Sequence, residues 1–512
     1  MAQTKERAER RSHSLASRAG RGGGRSPYGY CAIDLGAESG RVVLGRLEGG
    51  TLTTREIRRF PNEPVRCGNS LHWDVARLWR EICRGLTDIG EPALDGIGVD
   101  AWGVDYALLG ERGELLQNPY HYRDSRTQGV MDEVLRKISK EEIYRLTGIQ
   151  FMPINTIYQL FAAKRDTPKL VEAAERLLTI PDLFHYWLTG TAVCEFTNAT
   201  TTQLVNPATH SWSAELMGRL GVPARLPAVI AEPGSVLGSI KPEVTGGKIS
   251  APVILPGSHD TASAVAAVSA RGDTAFLSSG TWSLVGIELD APVITPEALR
   301  LNFTNEGGVN RTTRLLKNVM GLWLLQCCRR CWTAQGQDYS YDELMEMAAA
   351  QPPFQFLIDP DDEAFLSPAD MTEAIGQFCT RSSQPRPASP AVYVRGILES
   401  LAFKYRVVIE SLEQVIGRRI RTIRVIGGGA QNRLLNQFTA DATGKRVLAG
   451  PVEATAIGNL ALQIVATGGA KSLEEVREII EQSFTAQTYE PAGAERWHQQ
   501  FAHFRECSTE RK

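Results

Sequence analysis

An aspartate among small residues, at the point where an apolar run ends, is placed to take a proton from a hydroxyl. Residues 257–264 read Gly-Ser-His-Asp-Thr-Ala-Ser-Ala directly after the apolar run 253–255, so Asp260 stands where a strand gives way to a helix over 262–268. Ser258, Thr261, Ala262 and Ser263 are small enough to let a substrate approach the backbone. The free N–H groups and positive dipole end of a helix N-terminus favour the charged carboxylate, so Asp260 is expected to stay ionised. An ionised, accessible carboxylate orients a hydroxyl nucleophile and accepts its proton. The alternative is that Asp260 only caps the helix. His259 beside it is read as a hydrogen-bond donor to a hydroxyl-rich ligand rather than as an acid or base.

Three glycine-containing turns offer places for phosphate or nucleotide. In Asp34-Leu-Gly-Ala-Glu-Ser-Gly-Arg41, backbone N–H groups, the Ser39 hydroxyl and Arg41 could converge on an anion. A plain hairpin turn is the other reading of that stretch, and it lacks the Lys-Ser or Lys-Thr ending of a Walker loop. Asp34 is the candidate to hold magnesium through water, since magnesium takes few protein carboxylates. Leu277-Ser-Ser-Gly-Thr281 repeats the turn later in the chain, and Val425-Ile-Gly-Gly428-Gly-Ala-Gln-Asn432 runs a buried strand into three glycines that leave a flat surface for a base or ribose. The glycine spacing is not that of a dinucleotide-binding strand and helix. Asp100-Ala-Trp102-Gly103-Val-Asp105 puts an indole face beside a bare glycine and two carboxylates, a combination suited to a polyhydroxylated ligand; a Trp buried in a turn is the competing reading.

Positioning these groups needs particular elements. Residues 28–36, 40–47 and 51–60 read as three antiparallel strands, followed by a helix capped by Asp74 and a strand over 94–99. A comparable order restarts at 274–277, a Ser-Gly-Thr turn and 282–288, with a long helix near 394–412, a strand at 423–426 and a helix over 430–443 closed by Gly444. The order predicts a duplicated α/β domain with a cleft between its halves, in the manner of the actin, Hsp70 and hexokinase type. The expected divisions are a basic, disordered tail over 1–26, a first domain over 27–269, a second over 270–490 and a C-terminal tail over 491–512.

Composition narrows the class. With 512 residues, a net charge of -2 and 43% hydrophobic residues, the chain is long enough for two domains and is not basic enough for a nucleic-acid binder held by bulk charge. It has no apolar run of membrane-spanning length. Nine cysteines at scattered spacings suit a reducing cytoplasm, and Cys328-Arg-Arg-Cys331 falls inside a helical pattern over 321–332 with no second pair at zinc spacing.

Taken in order from about residue 28, these motifs resemble the FGGY family of carbohydrate kinases. The resemblance extends to Trp102-Gly-Val-Asp105, Tyr122-Arg-Asp-Ser-Arg126, Thr197-Asn-Ala-Thr-Thr-Thr-Gln-Leu204, Thr304-Asn-Glu-Gly-Gly308, Leu316-Lys-Asn-Val-Met-Gly-Leu-Trp-Leu-Leu-Gln326 and Ala449-Gly-Pro-Val-Glu-Ala454. It implies the two-domain fold, ATP and magnesium as cofactors, and transfer of phosphate to the 1-hydroxyl of L-rhamnulose in L-rhamnose breakdown. By position it implies Asp260 as the proton acceptor, Gly103, His259, Asp260, Thr261 and Asn318 at the sugar, and Ala37, Glu38, Ser39, Gly40, Arg41, Thr281, Gln326 and Gly428 at the nucleotide. Ala101 departs from the family, where Thr is frequent. Thr439 and Thr443 stand where some members carry paired cysteines, so no disulfide carries over. A kinase for L-fuculose or L-xylulose, and a non-catalytic ATP switch of the Hsp70 or actin kind, are the alternatives.

Overall fold

The computed structural model describes residues 28–508, so the reading of residues 1–26 as a tail lies outside the described residues. Two mixed sheets organise the chain. The first has the strand order Val236–Ser239, Pro252–Ile254, Gly96–Ala101, Tyr28–Leu35, Ser39–Glu48, Thr51–Pro61. The second runs Thr304–Gly307, Thr313–Met320, Trp282–Leu289, Thr274–Ser279, Thr422–Ile426, Arg446–Ala449, Gln487–Tyr489. In each sheet the opening strand forms an antiparallel meander on one side and two parallel strands follow on the other. The same order and the same senses in both sheets are the mark of a duplicated unit.

Thr304–Gly307 and Thr313–Met320 had no counterpart in the strand reading of the sequence. The second of them completes the meander and carries Asn318, with Leu315, Leu316 and Val319 buried. The helix expected over 321–332 is Trp323–Ala334, and the three-glycine segment forms a short 3-10 turn, Gly428–Gln431, before the helix Arg433–Thr443. Within the stretch read as a C-terminal tail, Ala494–Cys507 is instead a helix that buries Trp497, Phe501 and Phe504 against Phe403 of the long helix Pro390–Ile416. Among the described residues no helix is long and apolar enough to cross a membrane.

The halves are not separate in packing. Helix Ala454–Ala466 belongs to the second half of the sequence, yet it packs on strands Tyr28–Leu35 and Gly96–Ala101 of the first sheet and crosses helix Asp260–Ala266. A Cβ at Gly458 would collide with the Ser263 carbonyl, so the two helices meet backbone to backbone with Ala264, Ala267 and Ala461 buried around them. Asn459 on this helix donates to Asp100 at 2.6 Å, and Gln463 donates to the Cys31 carbonyl at 3.0 Å.

Candidate active site

Parallel pairing explains why the acidic residues meet. Asp34 lies opposite Asp100 in register, and Ala101 bridges to His259, so the C-terminal ends of neighbouring strands present Asp34, Asp100 and the His259–Asp260 pair side by side. Ligands of open α/β sheets bind outside such strand ends. Asp260 is the first residue of its helix, and His259 occupies the capping position without a side-chain cap. The capping reading of Asp260 therefore fails. Its carboxylate accepts from the Thr261 N–H at 2.5 Å and from the Thr261 hydroxyl at 3.1 Å, while 31% of the side chain remains open.

At Asp260 burial, rather than the helix N-terminus, sets the direction of the shift. The helix has only seven residues. Burial raises the carboxyl above its ordinary value, His259 and the Thr261 donors pull it down, and Asp34 pushes it up again. Asp100 is fully buried and is raised well above the ordinary range, first by burial and then by Asp34, with Asn459 opposing.

A cleft of about 470 Å³ opens above these groups and is walled by both sheets. From the first come Asp34, Ala37, Glu38, Ser39, Arg41, Gly103, His259, Asp260 and Thr261; from the second come Thr281, Asn318, Gln326 and Gly428. Among the residues that the family resemblance assigns to sugar or nucleotide, Gly40 alone does not line it. A Cβ at Gly40 would strike Phe60 and Leu35, so packing explains this glycine. Asn62 holds the first turn by bonding the Gly36 carbonyl at 2.8 Å and the Glu38 carbonyl at 2.9 Å. Arg41 is paired with Asp34 on its own lobe and with Glu453 on the other.

The glycine run divides by role. Gly427 has φ +81°, and a Cβ on Gly429 would overlap Ser279, whereas a Cβ on Gly428 meets no atom within 4 Å. Gly428 thus faces the cleft freely. Ser279 Oγ and Gln326 Oε1 are buried there without a hydrogen-bond partner. Buried polar atoms left unpaired at a cleft wall fit a ligand that supplies the missing bonds.

Trp102 and Asp105 differ: Trp102 lines the cleft beside Gly103, whereas Asp105 does not. Trp102 is buried, its ring 4.1 Å from that of Trp73, and its Nε1 donates to Asp105 at 3.1 Å. Asp105 also accepts from Trp73 at 2.6 Å and Gln159 at 2.8 Å, and burial pushes its carboxyl up to about 6. It fastens aromatic side chains together and does not line the cleft. Gly103 remains on the cleft wall, where a Cβ would press on Thr201 at 3.0 Å.

Sequence reasoning passed over Gln150 and Glu306 on the cleft wall and the fully buried Glu195. Gln150 accepts from Asn318 N–H at 2.8 Å and from its side chain at 3.1 Å, joining one lobe to the other. Glu195 accepts from Ser258 N–H at 2.9 Å and from Thr197 N–H at 2.9 Å, and so clamps the segment before Asp260; burial pushes its carboxyl up to about 8. Glu306 lies beside His259. The one available signal was a charged residue inside otherwise small or apolar stretches, 304–308 and 194–200.

Two duplicated sheets, a carboxylate at a strand-to-helix junction and glycine turns on opposite walls define a two-lobed phosphotransferase. Residues 29–267 match the N-terminal domain and residues 275–467 the C-terminal domain of the FGGY family of carbohydrate kinases, and the chain belongs to that family. Within it the chain is 45% identical to the rhamnulokinase of Bacteroides thetaiotaomicron, over 93% of this chain and 99% of that one. It is 42% identical to the rhamnulokinase of Oceanobacillus iheyensis, over 90% and 97%. The fold is that of the gluconate kinase from Lactobacillus acidophilus, with a TM-score of 0.77 at 19% identity, covering 94% of this chain and 97% of that structure.

Proposed function

We propose that this protein transfers the γ-phosphoryl group of ATP to the 1-hydroxyl of L-rhamnulose, giving L-rhamnulose 1-phosphate and ADP. The observation that carries the reaction type is Asp260, open to a cleft between turns from two separate sheets. Asp260 accepts the proton of the attacking hydroxyl, whose oxygen bonds to phosphorus as the bond to the β-phosphate oxygen breaks. Such a transfer needs positioning and charge stabilisation rather than covalent help from the protein. Gly103, Thr261 and Asn318 hold the sugar, with His259 lining its pocket beside Asp260; Ala37, Glu38, Ser39, Arg41, Thr281, Gln326 and Gly428 hold the nucleotide.

Among the described residues no group of three or more His, Cys, Asp or Glu side chains is arranged to hold a metal ion. A magnesium ion brought in on the phosphates needs little more than one carboxylate and water, and Asp34 on the cleft wall has that donor chemistry. When bound, the ion neutralises charge on the transferring phosphoryl group. We assign the sugar mainly to the lobe 27–269 and the nucleotide to the lobe 270–490 together with the 34–41 turn of the first, in a protein that works in the cytoplasm.

The choice of sugar rests on the rhamnulokinase relatives and on Val104, Ile149, Met152 and Ile154, which line the cleft with apolar surface suited to the methyl end of a 6-deoxyketose. A coupled ADP-release assay across L-rhamnulose, L-fuculose, L-xylulose and a 6-hydroxylated analogue is expected to give the highest kcat/KM with L-rhamnulose. A clear preference for another ketose would replace the substrate while leaving the reaction type in place.

A further inference from the structure

Beside Asp260 lies a further set of charges from the other lobe, with Glu306 itself at the cleft wall. His259 Nε2 is 3.3 Å from Asp260 Oδ1, and its Nδ1 is 3.2 Å from Glu306 Oε2 and 3.1 Å from Arg314 Nη2. Glu306 and Arg314 sit opposite each other on paired strands of the second sheet, 3.2 Å apart, and Arg314 is only 1% exposed. His259 and Asp260 follow a strand of the first sheet. A carboxylate, an imidazole and a second carboxylate are therefore lined up across the interface between lobes.

The donors fix the direction of this chain. Arg314 has only N–H groups to offer. If it donates to Nδ1, the neutral ring carries its proton on Nε2 and presents it to Asp260. If Nδ1 instead carries a proton toward Glu306, an ionised Asp260 still requires a proton on Nε2. In either arrangement the Nε2 proton faces the cleft-side carboxylate of Asp260, 3.3 Å away.

We propose that Glu306, balanced by Arg314, is a positioning residue for phosphoryl transfer: it orients the His259 ring so that Nε2–H holds Asp260 in place, and it does so from the opposite lobe. The inference rests on Asp260 being the base. Burial acts to raise Glu306, but the neighbouring His259 and the charge of Arg314 outweigh it and hold the carboxyl below its ordinary value. The ring thus meets a charged carboxylate. The other charges around the group are Asp34 and Asp100 with Arg41 near Asp260, and Glu195 and Glu288 facing Arg314.

The test is the pH profile of kcat in Glu306→Gln, Glu306→Asp and Arg314→Met, with Asp260→Asn alongside. Removing the negative charge of Glu306 leaves Arg314 less balanced, which favours ionised Asp260. The acid limb of Glu306→Gln should therefore move to lower pH, and kcat should fall about 10- to 100-fold, the loss usual for an outer hydrogen-bond partner of a functional histidine in metal sites. Glu306→Asp should bring the limb back toward the wild-type position, and Arg314→Met should move it to higher pH. A Glu306→Gln limb that stays at the wild-type pH overturns the proposal. If Arg314→Met does not fold, the Gln and Asp variants decide alone. Near-normal turnover in Asp260→Asn would instead remove the base assignment, a separate failure.

Discussion

At the scale of single residues, Asp260 combines an open face with a carboxyl raised by burial. A base must be ionised to accept a proton, so turnover should fall as pH drops through a value above the ordinary 3.8 of an aspartate. The stability effect has the opposite pH sense. A carboxyl raised in the folded state contributes stability that is complete below its unfolded value and lost as pH rises through the folded one. Asp260→Asn keeps an oxygen for the Thr261 donors and removes the charge, so the variant should melt no lower than wild type at pH 8. Its turnover should fall ~100- to 10,000-fold, as expected for loss of a general base, while ATP still binds. Calorimetry, nucleotide titration and a pH–rate series check this, and turnover near wild type would end the assignment. Asp260 was legible because a strand running into small residues is a local signal. Asp105 was misread because its donors, Trp73, Trp102 and Gln159, are assembled by the fold, and no spacing in the sequence announces them.

At the scale of elements, the glycines after strand Thr422–Ile426 separate packing from binding. A Cβ at Gly429 would overlap Ser279, an overpacking that typically costs about 1–3 kcal/mol. A Cβ at Gly428 meets only the cleft. Gly429→Ala should lower the melting temperature, whereas Gly428→Ala should leave it unchanged and raise KM for ATP. An unaltered KM in Gly428→Ala would take the nucleotide away from this wall. The hairpins and the long helices were readable, since their periods of two and 3.6 residues are set by local burial. Thr304–Gly307 and Thr313–Met320 were not, because the second carries adjacent apolar residues rather than an alternation and lies within the sheet. Helix Ala494–Cys507 was read as a tail because its apolar contacts, Phe403 above all, lie far back in the sequence.

At the scale of the whole molecule, the two lobes are joined in different ways at the back and front of the cleft. At the back, helices Asp260–Ala266 and Ala454–Ala466 meet at Gly458 with almost no side chain between them. Close-packed contacts of this kind shear or pivot rather than part. At the front the ties are polar: Gln150 with Asn318, Glu38 with Arg330 at 3.6 Å, and Arg41 with Glu453. Arg123 also lies 4.0 Å from the centre of the Trp323 ring and donates to the Leu366 carbonyl. Water can replace these ties but not the buried ones, Gly307 N–H to Thr200 and His259 beside Glu306 and Arg314, so opening should pivot about the buried contacts and widen the front. ATP and sugar, by contacting both walls, should favour the closed arrangement in proportion to their preference for it. Small-angle scattering should therefore show a smaller radius of gyration with L-rhamnulose and a non-hydrolysable ATP analogue than without them. Replacing both Gln150 and Arg123 by Ala should enlarge the ligand-free radius and raise KM for the sugar, because part of the binding free energy must then restore the closed form. A radius unchanged by ligands and by the double substitution would mean that the lobes move as one body, and that the cleft admits its substrates without opening.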